Sequence, residues 1–135
     1  VLIRVPYSDS LSITANHISN FAISPGDAVL FHTGWDVHWR TDRYFENHPF
    51  LTSDAAEYLK DKKVKLAGID SHNIDDTAYK SRPVHTILLG ADILIVEHLC
   101  NMHALPDQGF TFTAVPPKVK RVGTFPVRAF ASVIL

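Results

Sequence analysis

The sequence predicts an α/β domain, a mixed sheet flanked by helices, which we expect to extend over residues 1–135 as a single domain. Short apolar runs alternate with amphipathic stretches along the middle of the chain, which is typical of strands alternating with helices. Several of these runs are continuously apolar, as in parallel strands that are covered on both faces. The strand–helix–strand order therefore predicts parallel pairing in the middle, with antiparallel strands near the end.

The first elements are two predicted strands that enclose a short helix. Residues 1–5 are apolar enough for a strand, which Pro6 ends. Residues 14–22 predict a short helix, with Thr14 as its N-cap. The continuous apolar run at residues 28–31 predicts a strand buried on both faces.

A second helix and strand follow an irregular aromatic segment at residues 34–49. Thr52 is a natural N-cap for a helix that extends through residue 59, and lysines follow near its negative end. Residues 64–69 then predict a strand that ends at Asp70.

The last third of the chain predicts one helix and three strands. Pro83 suits the first turn of a short helix, and Gly90 ends it. Residues 93–96 predict another buried strand, residues 109–115 alternate like a half-buried strand, and residues 127–135 form the final strand.

Composition excludes several classes of partner. Thirteen basic residues against fourteen acidic ones leave no basic field for nucleic acid or an anionic membrane. The apolar runs are far shorter than the roughly 20 residues needed to cross a bilayer. Cys100 is the only cysteine in the sequence, which excludes an intrachain disulfide framework and fits a reducing compartment. We therefore expect a cytoplasmic protein, with Cys100 as a buried or inert thiol.

His85 and Glu97 are the first candidates for chemistry. Glu97 ends an apolar strand, where an acidic side chain needs a cation, a metal or a hydrogen-bond donor. The carboxyl ends of strands form the edge where ligands bind in α/β sheets, and the helix after Pro83 could bring His85 to that edge. Imidazole and carboxylate suit a divalent metal, but their spacing is equally compatible with a structural His–Glu hydrogen bond.

The other polar and aromatic residues leave two interpretations open. His72, Asp75 and Asp76 follow a predicted strand, where such residues either carry function or simply form turns. Trp35 and Trp39 either wall an aromatic pocket or cover the core. We expect His98 and His103 to be surface or loop histidines. We expect three others to be solvated or capping residues: His17, His38 and His48.

Seven segments, in order, resemble the cyclase family of metal-dependent hydrolases, which includes bacterial kynurenine formamidase and isatin hydrolase. The most specific is DAVLFHTGW at residues 27–35, which is similar to the vLxxTGW strand and loop of that family. The others are residues 48–51, 55–59, 64–70, 84–89, 95–102 and 126–131.

The resemblance implies a swivelling β/β/α fold, a homodimer, and one or two divalent ions, zinc or manganese. It implies that His85 and Glu97 are metal ligands, and that Trp35 and His72 contribute to substrate binding. The implied activity is hydrolysis of a small aryl formamide, a lactam or a related cyclic amide by a metal-activated water.

One family motif, HxGTHxDxPxH, does not occur in this sequence. The chain resembles the portion that follows this motif, so we expect an α/β fold incomplete at its N-terminus, half of a metal site, and no catalytic residue. It would then be a fragment of a hydrolase, or alternatively a non-catalytic binding or dimerisation module. A third alternative is that a second chain supplies the other ligands.

Overall fold

A computed structural model describes residues 1–133, so the end of the last predicted strand, Ile134 and Leu135, lies outside the described residues. The strands are β1 (Leu2–Arg4), β2 (Ser12–Ile13), β3 (Ala28–His32), β4 (Phe50–Leu51), β5 (Leu66–Ile69), β6 (Leu94–Val96), β7 (Phe110–Val115) and β8 (Arg128–Val133). The helices are α1 (Ala15–Ile18), α2 (Ser53–Asp61) and α3 (Pro83–Gly90). Short 3-10 turns lie at Trp35–His38, Asp42–Phe45 and Met102–Ala104.

Four parallel strands form the central sheet in the order β1-β3-β5-β6. In one register row Ile3 lies beside Phe31, and Phe31 lies beside Ile69. Strands β7 and β8 pair antiparallel in a separate ribbon. The predicted parallel middle and antiparallel end are both confirmed.

The helices cover one face of the central sheet. Ile3, Phe31 and Ile69 belong to a buried cluster that also contains Ala56 of α2 and Leu88 of α3. Successive strand residues point to opposite faces, so this row faces the helices and its neighbours face away.

The ribbon of β7 and β8 covers the other face. Leu2 and Leu30 form a second buried cluster with Met102, and Phe110 and Phe112 of β7 pack against it. Ribbon, sheet and helices therefore make three layers, as the predicted β/β/α arrangement requires.

Strand β6 corrects one expectation. It lies at the edge of the sheet, and Leu94 is 63% exposed, so this strand is not buried on both faces. Its continuously apolar sequence does not differ from that expected of a central strand. Which strand takes the edge depends on pairing with distant segments, which local composition does not show.

Helices α1 and α2 begin at the predicted N-cap residues, but the Thr52 side chain makes no capping hydrogen bond to its own helix. Thr14 and Thr52 occupy the N-cap positions of α1 and α2, and α1 ends earlier than expected, at Ile18. The Thr52 hydroxyl donates to the carbonyl of Ile13. The Asp54 carboxylate accepts from the amide at the start of α1, so the two helix starts are linked.

Strands β2 and β4 form a parallel pair that the sequence did not predict. Each has two residues, which is too short to show a period. Within residues 1–133, none of the helices is both long and apolar enough to cross a membrane.

A substitution at Gly68 tests how tightly the sheet packs against the buried cluster that contains Leu30. A Cβ atom added at Gly68 would lie 2.7 Å from Cδ2 of Leu30 and 2.8 Å from Cδ1 of Leu99. Because such overpacking forces neighbours to shift, Gly68→Ala should lower the free energy of unfolding by about 1–3 kcal/mol in a urea titration. Gly90→Ala is the control, since no atom lies within 4 Å of its added Cβ. Equal stabilities for the two variants would contradict this packing.

Candidate functional site

Polar side chains cluster at the carboxyl edge of the central sheet. His32 is the last residue of β3, Asp70 directly follows β5, and Glu97 directly follows β6. Because these three strands are parallel and adjacent, the three side chains lie at the same edge. This is the edge where open α/β sheets bind ligands.

The carboxylate of Asp70 is fully buried and joins the ends of β3 and β5. Its two oxygens accept from the Thr33 amide at 3.0 and 2.9 Å, and they also accept from the Thr33 hydroxyl at 2.6 Å and the Gly34 amide at 2.8 Å. Gly34 has a φ of +78°, a conformation that favours glycine. Burial raises the pKa of the Asp70 carboxyl, while these hydrogen bonds act in the opposite direction.

His32, Asp36 and Asp70 form one cluster of metal-ligand type, with one ligand atom from each within 4.8 Å of the others. His32 Nε2 lies 4.0 Å from Asp70 Oδ2. On the other side of the ring, Arg4 Nη1 lies 3.0 Å from His32 Nδ1. Sequence spacing did not indicate this cluster, because only the pairing of β3 with β5 brings its members together.

His85 and Glu97 come together at the same edge, as the sequence predicted. His85 Nε2 lies 3.7 Å from Glu97 Oε1. The Ile74 amide donates to Glu97 Oε1 at 2.8 Å, so the carboxylate is anchored to the loop after β5. Both side chains are mostly buried, with 23% and 21% of their surfaces exposed.

Asp75 contacts both the His85 ring and the start of α3. Its Oδ2 lies 2.6 Å from His85 Nδ1 and accepts from the His85 amide at 3.0 Å. Its Oδ1 accepts from the Val84 amide at 2.7 Å. By contrast, Asp76 accepts from the Ala78 amide, as in an ordinary turn. The sequence left function and turn formation open for both aspartates. In the structure only Asp75 contacts a candidate site residue, and Asp76 forms a turn.

Trp35 both covers the core and lines a pocket, the two alternatives that the sequence left open. Only 2% of it is exposed, and its indole N–H donates to the Tyr44 carbonyl at 3.0 Å. It also lines an open cavity of about 550 Å³ beside Tyr7 and Arg43. Trp39, in contrast, is 53% exposed.

His72 lies in a group of imidazole rings beside the buried Tyr44. Its ring centre is 5.3 Å from that of His48 and 5.7 Å from that of His98. The Tyr44 hydroxyl lies 3.0 Å from His98 Nδ1. Burial raises the pKa of Tyr44, so its phenol keeps the proton that it can donate to His98.

The expectation that His48 is a solvated or capping residue is wrong, whereas His38 is partly exposed. His48 is 3% exposed, and its ring bonds to the hydroxyls of Ser71 and Thr77 at 3.0 and 2.9 Å. The His38 ring packs edge-on against Trp35 with 4.6 Å between centres. Tertiary contacts bury the His48 ring, which sequence spacing alone does not show. His17 does act as a cap, because its ring accepts from the backbone of the α1 N-cap.

A family model described as "putative cyclase" matches residues 1–76 of this chain. A kynurenine formamidase of Bordetella avium is 29% identical over 119 residues, which are 87% of this chain and 54% of that protein. Among solved structures, one described as a potential metal-dependent hydrolase with cyclase activity is 29% identical, with a TM-score of 0.76. It matches 96% of this chain and 61% of that one.

An isatin hydrolase solved with the product analogue thioisatinate has a TM-score of 0.85 and 26% identity. The match covers 96% of this chain and 57% of the isatin hydrolase. The chain therefore spans between half and two thirds of the length of these three proteins.

Removal of the Asp70 carboxylate should destabilise the protein strongly. In Asp70→Ala, the Thr33 amide, the Thr33 hydroxyl and the Gly34 amide lose a buried acceptor. Each unsatisfied donor costs about 1–3 kcal/mol, so a denaturant titration should show a loss of more than about 3 kcal/mol. Asp76→Ala removes a single exposed hydrogen bond and should change stability by less than about 1 kcal/mol. A loss in Asp70→Ala as small as that in Asp76→Ala would contradict the assigned role.

His48 should make stability depend on pH. Burial lowers its pKa from the ordinary value of 6.5, so the unfolded chain binds a proton that the folded protein does not. The free energy of unfolding should therefore fall as pH drops below 6.5 towards the folded-state value. His48→Gln should flatten this dependence in urea titrations at a series of pH values. His103→Gln, at an exposed position, should not, and an equal change in both variants would rule out the His48 assignment.

Proposed function

Because this chain belongs to the cyclase family, we propose that it forms part of the active site of a metal-dependent amide hydrolase. The proposed substrate is a small aryl formamide, a lactam or a related cyclic amide. The observation that carries the proposal is the approach of His85 Nε2 to within 3.7 Å of Glu97 Oε1 at the carboxyl edge of the sheet.

The donor set of His85 and Glu97 fits a divalent cation. Two ligand atoms that bind one zinc ion tetrahedrally at about 2.1 Å lie about 3.4 Å apart, close to the observed separation. Ligating carboxylates are usually held by further hydrogen bonds, and the Ile74 amide holds Glu97 in this way. Imidazole and carboxylate together suit zinc or manganese.

A divalent cation held by His85 and Glu97 would act as a Lewis acid and would make a water nucleophilic near neutral pH. The chain's own residues hold the two proposed ligands in position. Glu97 is fixed by the backbone of the loop after β5, and His85 by the start of α3. We propose that Trp35 and His72 contribute to substrate binding, since both follow closely after strands that end at the same edge.

The cluster of His32, Asp36 and Asp70 has a different role in this proposal. The Arg4 guanidinium can only donate, so His32 Nδ1 accepts and the neutral ring carries its proton on Nε2, which faces Asp70. That nitrogen has no lone pair for a cation. The Asp70 oxygens already accept from three donors, the Thr33 amide, the Thr33 hydroxyl and the Gly34 amide. We propose that this cluster maintains the structure of the edge.

Catalytic zinc sites usually have three protein ligands and a water. His85 and Glu97 provide two, so we propose that further ligands and a proton-transferring histidine come from outside this chain, from a preceding segment or a second copy in a homodimer. We propose a cytoplasmic location, since the single cysteine fits a reducing compartment.

Zinc titration of the metal-depleted protein should distinguish the two clusters. By calorimetry, His85→Ala and Glu97→Ala should each weaken Zn²⁺ binding more than about 100-fold, since the loss of a ligand exceeds the 10–100-fold effect of its supporting partners. His32→Ala should leave binding within about threefold, because its ring offers no lone pair there. Weakening by His32→Ala alone would transfer the site to the other cluster.

Hydrolysis of N-formylkynurenine and of isatin tests the activity. The protein that contains this chain should hydrolyse at least one of them with Zn²⁺ or Mn²⁺ bound, and His85→Ala should abolish turnover. Metal binding without turnover of either compound would favour the non-catalytic binding or dimerisation module.

A further inference from the structure

We propose that Asp75 is a positioning residue that holds the His85 ring with the lone pair of Nε2 directed at Glu97. The inference rests on the proposed function of His85 and Glu97 as cation ligands. The place of Asp75 in a polar loop left function and turn formation both open, and the positioning role is a specific function.

The first step is the tautomer of His85. Asp75 Oδ2 lies 2.6 Å from His85 Nδ1, a short distance typical of a charge-assisted hydrogen bond. An ionised carboxylate can only accept, so the hydrogen is on Nδ1. A neutral imidazole has a single N–H, which leaves a lone pair on Nε2. Nε2 is the nitrogen that faces Glu97.

The second step is the rigidity of this arrangement. The same carboxylate accepts from the amides of Val84 and His85, the second and third residues of α3. Asp75 is 1% exposed, and its own amide donates to the Asn73 side chain at 2.9 Å. Rotation of the His85 ring would break the contact with a carboxylate that is itself held by the start of the helix.

The third step is the contrast with His32 along the same edge. There the partner of Nδ1 is the Arg4 guanidinium, a donor, so the neutral ring has the opposite tautomer. Two histidines near carboxylates are thus distinguished by the partner on their far side. The acceptor at Nδ1 of His85 leaves Nε2 with a lone pair for a cation, whereas the donor at Nδ1 of His32 leaves Nε2 protonated.

The decisive measurement is the ¹⁵N chemical shifts of the imidazole nitrogens in the metal-free protein at about pH 8, where imidazoles are ordinarily neutral. In the wild type, His85 should show a protonated Nδ1 and an unprotonated Nε2, and His32 the reverse. An Nε2–H tautomer at His85, or a ring protonated on both nitrogens, would overturn the inference. This measurement needs neither a variant nor bound metal.

Asp75→Asn tests the consequence. The amide keeps the size of the side chain and one acceptor for the Val84 amide, but its NH₂ group donates to His85 Nδ1 and shifts the proton to Nε2. The ¹⁵N shifts should report that change, and Zn²⁺ affinity should fall about 10–100-fold. Asp76→Asn is the matched control and should keep both the His85 tautomer and the affinity.

The two hypotheses fail differently. An unchanged His85 tautomer in a folded Asp75→Asn protein would refute the positioning role, whatever its metal affinity. Should Asp75→Asn not fold, the wild-type shifts still decide the tautomer. If His85→Ala binds Zn²⁺ as well as the wild type, the proposed function fails even though the tautomer is as described.

Discussion

The buried carboxylate of Asp70 holds together the two loops from which the carboxyl edge of the sheet is built. It accepts from Thr33 and Gly34 at the end of β3, although it belongs to the loop after β5. The Thr33 hydroxyl that donates to Asp70 also accepts from the Trp35 amide at 3.2 Å. Because a buried polar group without a partner is costly, losing one of these loops from its position would leave the other with unsatisfied groups. The positions of the first turn of the aromatic segment and of the β5 loop are therefore coupled.

The loop at residues 70–76 connects this hydrogen-bonded region to the proposed metal site. Three of its buried polar side chains bond to partners in other parts of the chain: Asp70, Ser71 and Asp75. Ser71 contacts His48, and its carbonyl accepts from the His98 amide. The Ile74 amide holds Glu97, and Asp75 holds the start of α3. A single loop thus determines the distance between a helix residue and a strand-end residue that are 12 positions apart in sequence.

Local signals were sufficient for most of the fold. Continuous apolar runs marked β3 and β5, and capping threonines marked the starts of α1 and α2. The errors have a common cause. The edge position of β6, the two-residue pair of β2 with β4, and the burial of His48 all depend on pairing or packing between segments far apart in sequence. Periodicity describes which face of an element is apolar, not which neighbour covers that face.

By itself, the sequence determined the order of strands and helices, the resemblance to the cyclase family, and the choice of His85 and Glu97, because these depend on residue type and spacing along the chain. Tertiary structure decided which side chains accompany them. Asp75 lies ten positions from His85, and Arg4 lies 28 positions from His32. Only the parallel sheet and its connecting loops bring these partners to their rings. The partner's ability to accept or donate a hydrogen bond then decides which histidine has a lone pair available for a metal.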